Sequence, residues 1–187
     1  MIPSNSRQTP VTVNQLHESE PRWFAVHTRS KSEKFVQRML TKKGIHAWLP
    51  LQKLMRRYVR STRMVEKPLI NCYVFVRIVQ REYVPVLETE NVAGFIKFSK
   101  SLIAIPEAEI DLLKRITLET DLDIEAVPGI FSEGDTVEIS AGNLTGMRGR
   151  IMKTEGKRRF QVALGQLGYS LLITVDAAFL EKTRFNI

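Results

Sequence analysis

Basic side chains are concentrated in one short stretch of the sequence, residues 51–70. Six lysines and arginines lie there against a single acidic residue, Glu66: Lys53, Arg56, Arg57, Arg60, Arg63 and Lys67. Contact with a phosphate backbone needs only Lys or Arg on one exposed surface, and it carries no sequence information. The stretch therefore predicts contact with the DNA backbone, and the alternative is a solvated basic hairpin. The candidate DNA-binding residues here are Arg56, Arg57, Arg60 and Arg63.

The residue types that perform catalysis or hold a metal are not spaced for either task. Cys72 is the single cysteine, so neither an internal disulfide nor a multi-cysteine zinc site can form. The three histidines show no metal-ligand spacing. We find no carboxylate pair with a nearby histidine, no phosphate-binding P-loop and no nucleophile motif. We therefore expect no enzymatic activity, no metal and no cofactor, and a nucleic-acid enzyme is the least favoured alternative.

The elements that would position the basic residues follow from the apolar pattern. Apolar residues recur on one helical face between Lys31 and Lys43, which predicts a helix there. The segment Cys72–Val79 is almost continuously apolar and predicts a central strand covered on both faces. This order of elements predicts an α+β sandwich with helices against a mainly antiparallel sheet. The other predicted elements are strands at 22–28, 45–49 and 95–98, a strand–loop–strand excursion at 51–70, and helices near 82–88 and after Pro106.

The second part of the chain has a different composition. Short β-type runs follow one another between close turn signals, which predicts a small all-β barrel. The predicted strands are 136–139, 150–153, 160–164, 170–175 and 179–182.

Charge divides the chain at nearly the same place. Residues 1–116 hold 20 basic and 10 acidic residues, whereas residues 117–187 hold 8 basic and 10 acidic ones. Acidic residues before Pro128-Gly129 predict an exposed linker. The predicted organisation is a mobile N-terminal tail at 1–21, a first domain at 22–117, an acidic linker at 118–130 and a second domain at 131–187.

Apolar runs are short throughout the sequence. None approaches the roughly 20 residues that a membrane-spanning helix needs. The polar N-terminus lacks the apolar segment of a signal peptide. We therefore expect a cytoplasmic protein that makes no membrane contact.

Several segments of the chain are distinctive. In the first domain they are Trp23–Val26 with Glu33-Lys34, Gly44–Pro50, Pro68–Val76 and Val92–Ile96. They resemble the N-terminal (NGN) domain of the NusG family of bacterial transcription-elongation factors. In the second domain, Glu133–Ile139 and Gly142–Ile151 resemble a KOW motif, in which a glycine-rich loop joins two strands. The resemblance implies an NGN-type α/β sandwich followed by a KOW, SH3-like β-barrel.

Two departures from the family pattern indicate which members of the family the chain resembles most. Asn71-Cys72 stands where the family usually has Pro-Gly, and the loop after the first helix is shorter than in general elongation factors. Both features resemble the specialised RfaH and UpxY-like paralogues, which implies antitermination on long operons such as those for surface or capsular polysaccharide. The alternatives are a housekeeping NusG and a KOW-containing, RNA-binding structural protein of the ribosomal type. The second domain carries too little basic charge to favour the ribosomal alternative.

The resemblance also implies a hydrophobic patch that binds the clamp helices of the largest RNA polymerase subunit. Tyr73 and Phe75 share one face of a strand, and the alternative is that they are core residues. Val74 and Val76 point the other way and are better core candidates, and Trp23 is expected to be structural. The candidate polymerase-binding residues are Tyr73, Phe75, Phe24 and Pro50.

Three more candidates lie at the first strand-to-helix turn: His27, Arg29 and Lys31. RfaH-type paralogues read a flipped DNA base in this region, and these side chains offer stacking and hydrogen bonds. A helix N-terminus also favours a phosphate. The implied partner is upstream or non-template DNA, and the alternative is an ordinary polar cap.

The loop Gly165–Gly168 matches the family loop that supports contact with ribosomal protein S10 or with the termination factor Rho. Leu167 and Gly168 are therefore candidate partner-binding residues, and RNA contact through nearby arginines is the alternative. RfaH can store this domain as a helical hairpin, but the many β-branched residues and glycines predict a β-barrel here. The family expectation is a monomer.

Overall fold

The computed structural model describes residues 12–58, 60–98, 100–119, 122–129, 134–140, 144–154, 157–174 and 180–182. Strands alternate with helices in the first part and dominate after the third helix. The predicted class, mixed α and β with antiparallel sheets, is confirmed. The helices are α1 (Glu33–Lys42), α2 (Tyr83–Leu87) and α3 (Glu107–Leu118). The strands of the first part are β1 (Arg22–Thr28), β2 (His46–Trp48), β3 (Leu51–Tyr58), β4 (Ser61–Pro68), β5 (Tyr73–Ile78) and β6 (Val92–Phe95).

The first unit is built on a four-stranded antiparallel sheet in the order β2-β5-β1-β6. As predicted, β5 is an inner strand, and its side chains alternate between the two faces. Val74 and Val76 are fully buried in the cluster that includes Val36 and Leu40 of α1. Phe75 belongs to a second cluster, on the opposite face of the sheet.

The helix α1 begins two residues later than the sequence predicts. Lys31 has a φ of 60°, in the left-handed region, so it cannot belong to a right-handed helix. Cys72 is also left-handed, with a φ of 63°, which makes β5 begin at Tyr73. The buried Glu33 carboxylate connects the two turns, because it accepts a hydrogen bond of 2.7 Å from the Cys72 amide.

Strands β3 and β4 form a two-stranded antiparallel ribbon of their own. They pair over eight positions, from Leu51 opposite Pro68 to Tyr58 opposite Ser61. Residues directly opposite one another in such a pair project from the same face. The predicted basic excursion is therefore a long ribbon, which leaves the first sheet after Pro50 and rejoins it before β5.

The second unit is a six-stranded antiparallel sheet in the order β12-β8-β9-β10-β11-β7. Its predicted β structure is confirmed for the described residues; residues 175–179 of the last predicted strands lie outside them. The predicted closed barrel is not found, because β12 and β7 stand at opposite edges and are not paired with each other among the described strands. The strands are β7 (Ile124–Pro128), β8 (Thr136–Ile139), β9 (Arg148–Thr154), β10 (Lys157–Leu164), β11 (Tyr169–Ile173) and β12 (Leu180–Lys182).

The predicted N-terminal tail is held in place over its described part. Residues 1–11 lie outside the described residues, but residues 12–17 lie beside residues 101–104. The Val13 amide donates to Ser101 Oγ at 2.9 Å, and the Ala104 amide donates to Gln15 Oε1 at 2.8 Å. The prediction of a mobile tail is therefore wrong from residue 12 onward, since these partners are too distant in sequence for local composition to reveal.

The predicted linker at 118–130 is also wrong in its extent. Its residues Ile124–Pro128 form β7, which pairs with β11 over five positions. Pairing across more than 40 residues gives this polar segment a regular structure that its acidic composition does not suggest. The connector between α3 and β7 is reduced to residues 119–123.

None of the helices in the described part of the chain is both long and apolar enough to cross a membrane.

The close approach of Gly149 to β10 generates a stability prediction. A Cβ atom at residue 149 would collide with the Gln161 carbonyl and would lie 2.6 Å from Cζ of the buried Phe160. We expect Gly149→Ala to lower the free energy of unfolding by about 1–3 kcal/mol, because a packed interior resists added volume. Urea unfolding followed by circular dichroism measures this.

The matched control is Gly165→Ala. A Cβ atom there would meet Glu109 Oε1 at 3.6 Å, an ordinary contact. Equal unfolding midpoints for the two variants would contradict the predicted packing of β9 on β10.

Candidate functional site

Four aromatic side chains form a group on the face of the first sheet opposite α1 and α2. Trp48 stands directly opposite Phe75 in the β2–β5 register, and their ring centroids are 5.7 Å apart. The Trp23 and Trp48 rings are 6.5 Å apart, edge to face. Tyr73 follows on the same side of β5. We call this group the aromatic face: Trp23, Trp48, Tyr73 and Phe75.

The second unit covers the aromatic face. One contiguous apolar cluster includes Phe75 from the first unit and Phe160 and Leu171 from the second. The Tyr73 and Tyr169 rings meet edge to face at 5.5 Å between centroids. Phe75 is fully buried in this arrangement, whereas Tyr73 is half-buried. Burial of large aromatic groups supplies most of the stabilisation in contacts of this kind.

Polar contacts secure the edges of the same interface. Arg115 of α3 donates from Nη2 to the Thr145 carbonyl at 2.8 Å. Gln52, at the base of the ribbon, donates from Nε2 to the carbonyl of Leu122 in the connector. These bonds join α3 to the second unit and the ribbon to the connector.

The ionisation of Tyr73 reflects its position between the two units. Burial raises the pKa of Tyr73 well above its ordinary value, and the hydrogen bond with Tyr169 raises it further. The hydroxyl therefore stays protonated at physiological pH and acts as a hydrogen-bonding group inside the interface.

The ribbon forms a second surface of a different kind. Its six basic side chains are all exposed, and the one acidic residue, Glu66, pairs with Lys34 at 3.3 Å. Arg56 stands directly opposite Arg63, so both guanidinium groups project from the same face of the ribbon. Met55 and Met64 stand opposite each other on the other face and are about half exposed.

A pocket of about 490 Å³ lies between the ribbon base and the start of α1. Lys31, Lys34 and Lys67 line it together with Ser30 and Asn71. Of the three candidates at this turn, Lys31 lines the pocket, whereas His27 contacts the Tyr73 ring at 6.0 Å and Arg29 is exposed. The structure therefore does not bring these three side chains together in one site.

A family model described as "Transcription termination factor nusG" matches residues 21–114, which is half of the chain. The chain belongs to the NusG family. The match covers the first sheet, the ribbon and most of α3, so it includes both the aromatic face and the basic ribbon. NusG-family proteins are transcription factors without enzymatic activity.

Solved structures add a likeness in fold. The chain is similar to the structure entitled "Domain interaction in Thermotoga maritima NusG", with 19% sequence identity and a TM-score of 0.55 over 87% of this chain and 97% of that one. Two structures of an MjSpt4:Spt5 complex match with 18% identity over 86% and 88% of this chain and 97% and 99% of theirs, at TM-scores of 0.29 and 0.32. Only the first of these scores is high enough to indicate a shared fold. No curated protein matches the chain significantly.

Two of the candidate polymerase-binding residues do not lie on the aromatic face of this NusG-family protein. Phe24 neighbours Trp23 in β1, so its side chain turns to the other face, where it is fully buried against Phe95. Pro50 is buried where β2 gives way to the ribbon. Strand alternation explains the position of Phe24, because neighbouring side chains point to opposite faces. Pro50 lies between β2 and β3 and is excluded from an exposed patch by its own burial.

The loop candidates of the second unit also differ from prediction. Leu167 is buried, so it anchors the loop after β10 rather than presenting an apolar surface to a partner. Gly168 is left-handed, and a Cβ atom there would lie 3.7 Å from Phe98 of the first unit. This loop therefore faces the first unit instead of open solvent.

Sequence reasoning missed Trp48 and Tyr169 as functional candidates. Trp48 could have been found, because it precedes Pro50 in a strand whose partner, β5, carries Phe75. Tyr169 gave no local signal, since its role depends on a contact with residue 73 in the other unit.

The contact between Tyr73 and Tyr169 generates a prediction about closure of the two units. We expect Tyr169→Ala to weaken their packing by about 1–2 kcal/mol, because the edge-to-face aromatic pair is lost. The radius of gyration from small-angle X-ray scattering should increase, and a protease that cuts after glutamate should cleave the connector at Glu119 more quickly.

Tyr169→Phe is the control, since it keeps the ring and removes only the hydroxyl group. It should remain closer to the wild type in both measurements. An unchanged radius of gyration for Tyr169→Ala would show that the aromatic pair contributes little to closure.

Proposed function

We propose that this NusG-family protein is an elongation and antitermination factor that binds RNA polymerase through its aromatic face. The observation that carries the proposal is the composition of this face: Trp48, Tyr73 and Phe75 form an aromatic surface that is covered by a second, distinct sheet. Interfaces are enriched in aromatic residues at their centres, and an apolar partner can take the place of the second unit. The clamp helices of the largest polymerase subunit are the proposed partner.

Binding requires the two units to separate, because the same side chains cannot contact both the second unit and the polymerase. The protein therefore exists in a closed form and an open form, and polymerase selects the open one. Every kilocalorie that stabilises closure lowers the apparent affinity for polymerase. Once bound, the first unit would hold the clamp closed and suppress pausing and termination by its greater affinity for that polymerase conformation.

No chemical step is needed for this activity. The protein acts through differential binding, so the side chains at the interface contribute shape, apolar area and hydrogen bonds. Tyr73 suits this role, because its protonated hydroxyl can donate a hydrogen bond. When the units separate, an acceptor on the polymerase can replace Tyr169 as its partner.

A specialised role on long operons, such as those for surface or capsular polysaccharide, is proposed by analogy, because Asn71-Cys72 resembles the specialised paralogues. The left-handed conformation of Cys72 explains why a glycine suits this position in relatives. Here the strain is offset by two hydrogen bonds, from the Cys72 amide to Glu33 and from the Thr28 amide to the Cys72 carbonyl at 2.9 Å. The left-handed Cys72, held by these two hydrogen bonds, therefore gives this turn a structure specific to this chain, close to His27 and Lys31.

The exposed basic residues are the proposed DNA contacts beside the polymerase. Arg56, Arg57, Arg60 and Arg63 project from the ribbon, and Lys31 lines the pocket at its base. His27, near the end of β1, and Arg29, just after that strand, are also exposed. Upstream duplex or the displaced non-template strand would supply the phosphates.

The second unit is proposed to be a KOW domain that gains a partner after release. Its β10–β11 loop faces the first unit in the closed form, so ribosomal protein S10 or Rho could reach it only in the open form. Leu167 would support this loop from inside, and Gly168 would allow close approach of a partner backbone.

A binding experiment with bacterial core RNA polymerase tests the proposed face. We expect Tyr169→Ala to bind polymerase about tenfold more tightly than the wild type, because weaker closure by about 1.4 kcal/mol raises the open fraction tenfold. Adding Tyr73→Ala to that variant should remove most of the affinity. Biolayer interferometry with immobilised polymerase provides the measurement.

Arg81→Gln is the control, since Arg81 is exposed outside both surfaces. It should bind like the wild type. Polymerase binding by the Tyr73→Ala/Tyr169→Ala protein that equals that of Tyr169→Ala would exclude the aromatic face as the contact.

A further inference from the structure

Two arginines on the ribbon face each other without an intervening acid. The register places Arg56 directly opposite Arg63, where Cβ atoms in antiparallel pairs are about 4.5–5.5 Å apart. Both side chains are exposed, and among the described residues no carboxylate forms an ion pair with either of them. Like charges directly opposite one another destabilise a strand pair. The ribbon therefore retains a local cost that its own residues do not offset.

The single acidic residue of the ribbon does not pair with either of these arginines. Glu66 stands opposite Lys53 and forms its ion pair with Lys34 of α1. By strand alternation, Lys53 and Glu66 project from the face opposite to that of Arg56 and Arg63. The arginine pair is thus the part of the ribbon at which an added anion would be stabilised most.

Two guanidinium groups on one face are suited to a phosphate. Each guanidinium can donate two parallel hydrogen bonds to the oxygens of one phosphate group, and arginine is favoured where such recognition matters. An anion between the two arginines also removes the repulsion between them. The repulsion in the free protein therefore becomes part of the driving force for binding.

The form of the ribbon favours double-stranded DNA over a single strand. Eight residue pairs extend over roughly 25 Å, and a two-stranded ribbon fits the major groove, which is about 12 Å wide. Basic side chains project from both faces, as a groove with phosphates on both sides requires. Proteins that bind single strands present several aromatic residues as stacking platforms, whereas the ribbon has a single aromatic residue, Tyr58, at the end of β3.

We propose that Arg56 and Arg63 together bind one backbone phosphate of double-stranded DNA, with the β3–β4 ribbon lying in the groove. This inference rests on the proposed function only in assuming that the protein works beside DNA. It needs no separation of the two units, because both arginines are exposed while the second unit covers the aromatic face.

The test measures binding of the full chain to a fluorescent 20-base-pair duplex by anisotropy between 50 and 200 mM KCl. Arg56→Gln and Arg63→Gln should each weaken binding about tenfold. Independent contacts would give a hundredfold loss in the double variant, but we expect a clearly smaller one. The first substitution already removes the repulsion between the two arginines, so the second substitution loses only its own contact with the phosphate. The slope of log K against log salt should fall by roughly 0.9 in the double variant, the value for one phosphate rather than two.

A second measurement examines the free protein. Either single substitution should raise the thermal unfolding temperature at low salt, since it removes the apposed charge, and high salt should abolish this gain. The charge-matched control is Arg77→Gln/Arg81→Gln, two exposed arginines outside the ribbon, which should change duplex affinity less than twofold.

Three results would overturn the inference. They are a hundredfold loss in the double variant with a slope change near 1.8, an equal loss in the control, or tighter binding of the same-length single strand than of the duplex. Polymerase binding by the Arg56→Gln/Arg63→Gln protein is measured in parallel. Wild-type protein that binds polymerase but no duplex would remove this inference alone, whereas binding of duplex without polymerase would remove the proposed function and leave this inference standing.

Discussion

The fold depends on one constraint, which is that strand β5 is apolar on both faces. Antiparallel sheets commonly bury one face and leave the other in water. Here Val74 and Val76 are buried on one side and Phe75 on the other, so two separate covers are required. Helices α1 and α2 supply the first cover. The second is completed by α3 and by the six-stranded sheet, which accounts for an apolar cluster that extends through both units.

A cover that is tethered but folded separately has consequences for binding. The connector is only residues 119–123, so the second unit is present at a high effective concentration near the aromatic face. A separate partner protein must therefore bind the aromatic face strongly enough to compete with the tethered second unit. Because apolar burial is not directional, however, a partner of suitable shape can replace the second unit without reproducing its hydrogen bonds. Under the proposed function, the closed state would thus act as a threshold for binding, set by Tyr169 and a few polar bonds between the units.

Much of this architecture could be predicted from local sequence, because periodicity reports which residues share a face. The strands of both units and the core role of Val74 and Val76 followed from alternation. What local sequence did not report was pairing between distant segments, which fixes residues 12–17 and turns part of the acidic linker into β7. The site was predicted less well for the same reason. Tyr73 and Phe75 lie on the aromatic face, whereas Phe24 is buried on the other face of the sheet. Leu167 is buried inside the cluster that joins the units, and Tyr169 acquires a role only through the other unit.

The aromatic face and the basic ribbon of the first unit depend on different interactions, and their expected roles differ for this reason. The aromatic face depends on apolar area, which salt barely weakens, and it is available only when the units part. The ribbon depends on exposed charge, which salt screens within about 10 Å, and it is available in either state. The charge of the ribbon is therefore accessible in the closed protein, whereas the fully buried Phe75 is not. Gln52 at the ribbon base bonds to the carbonyl of Leu122 in the connector, so the two surfaces share a direct physical link.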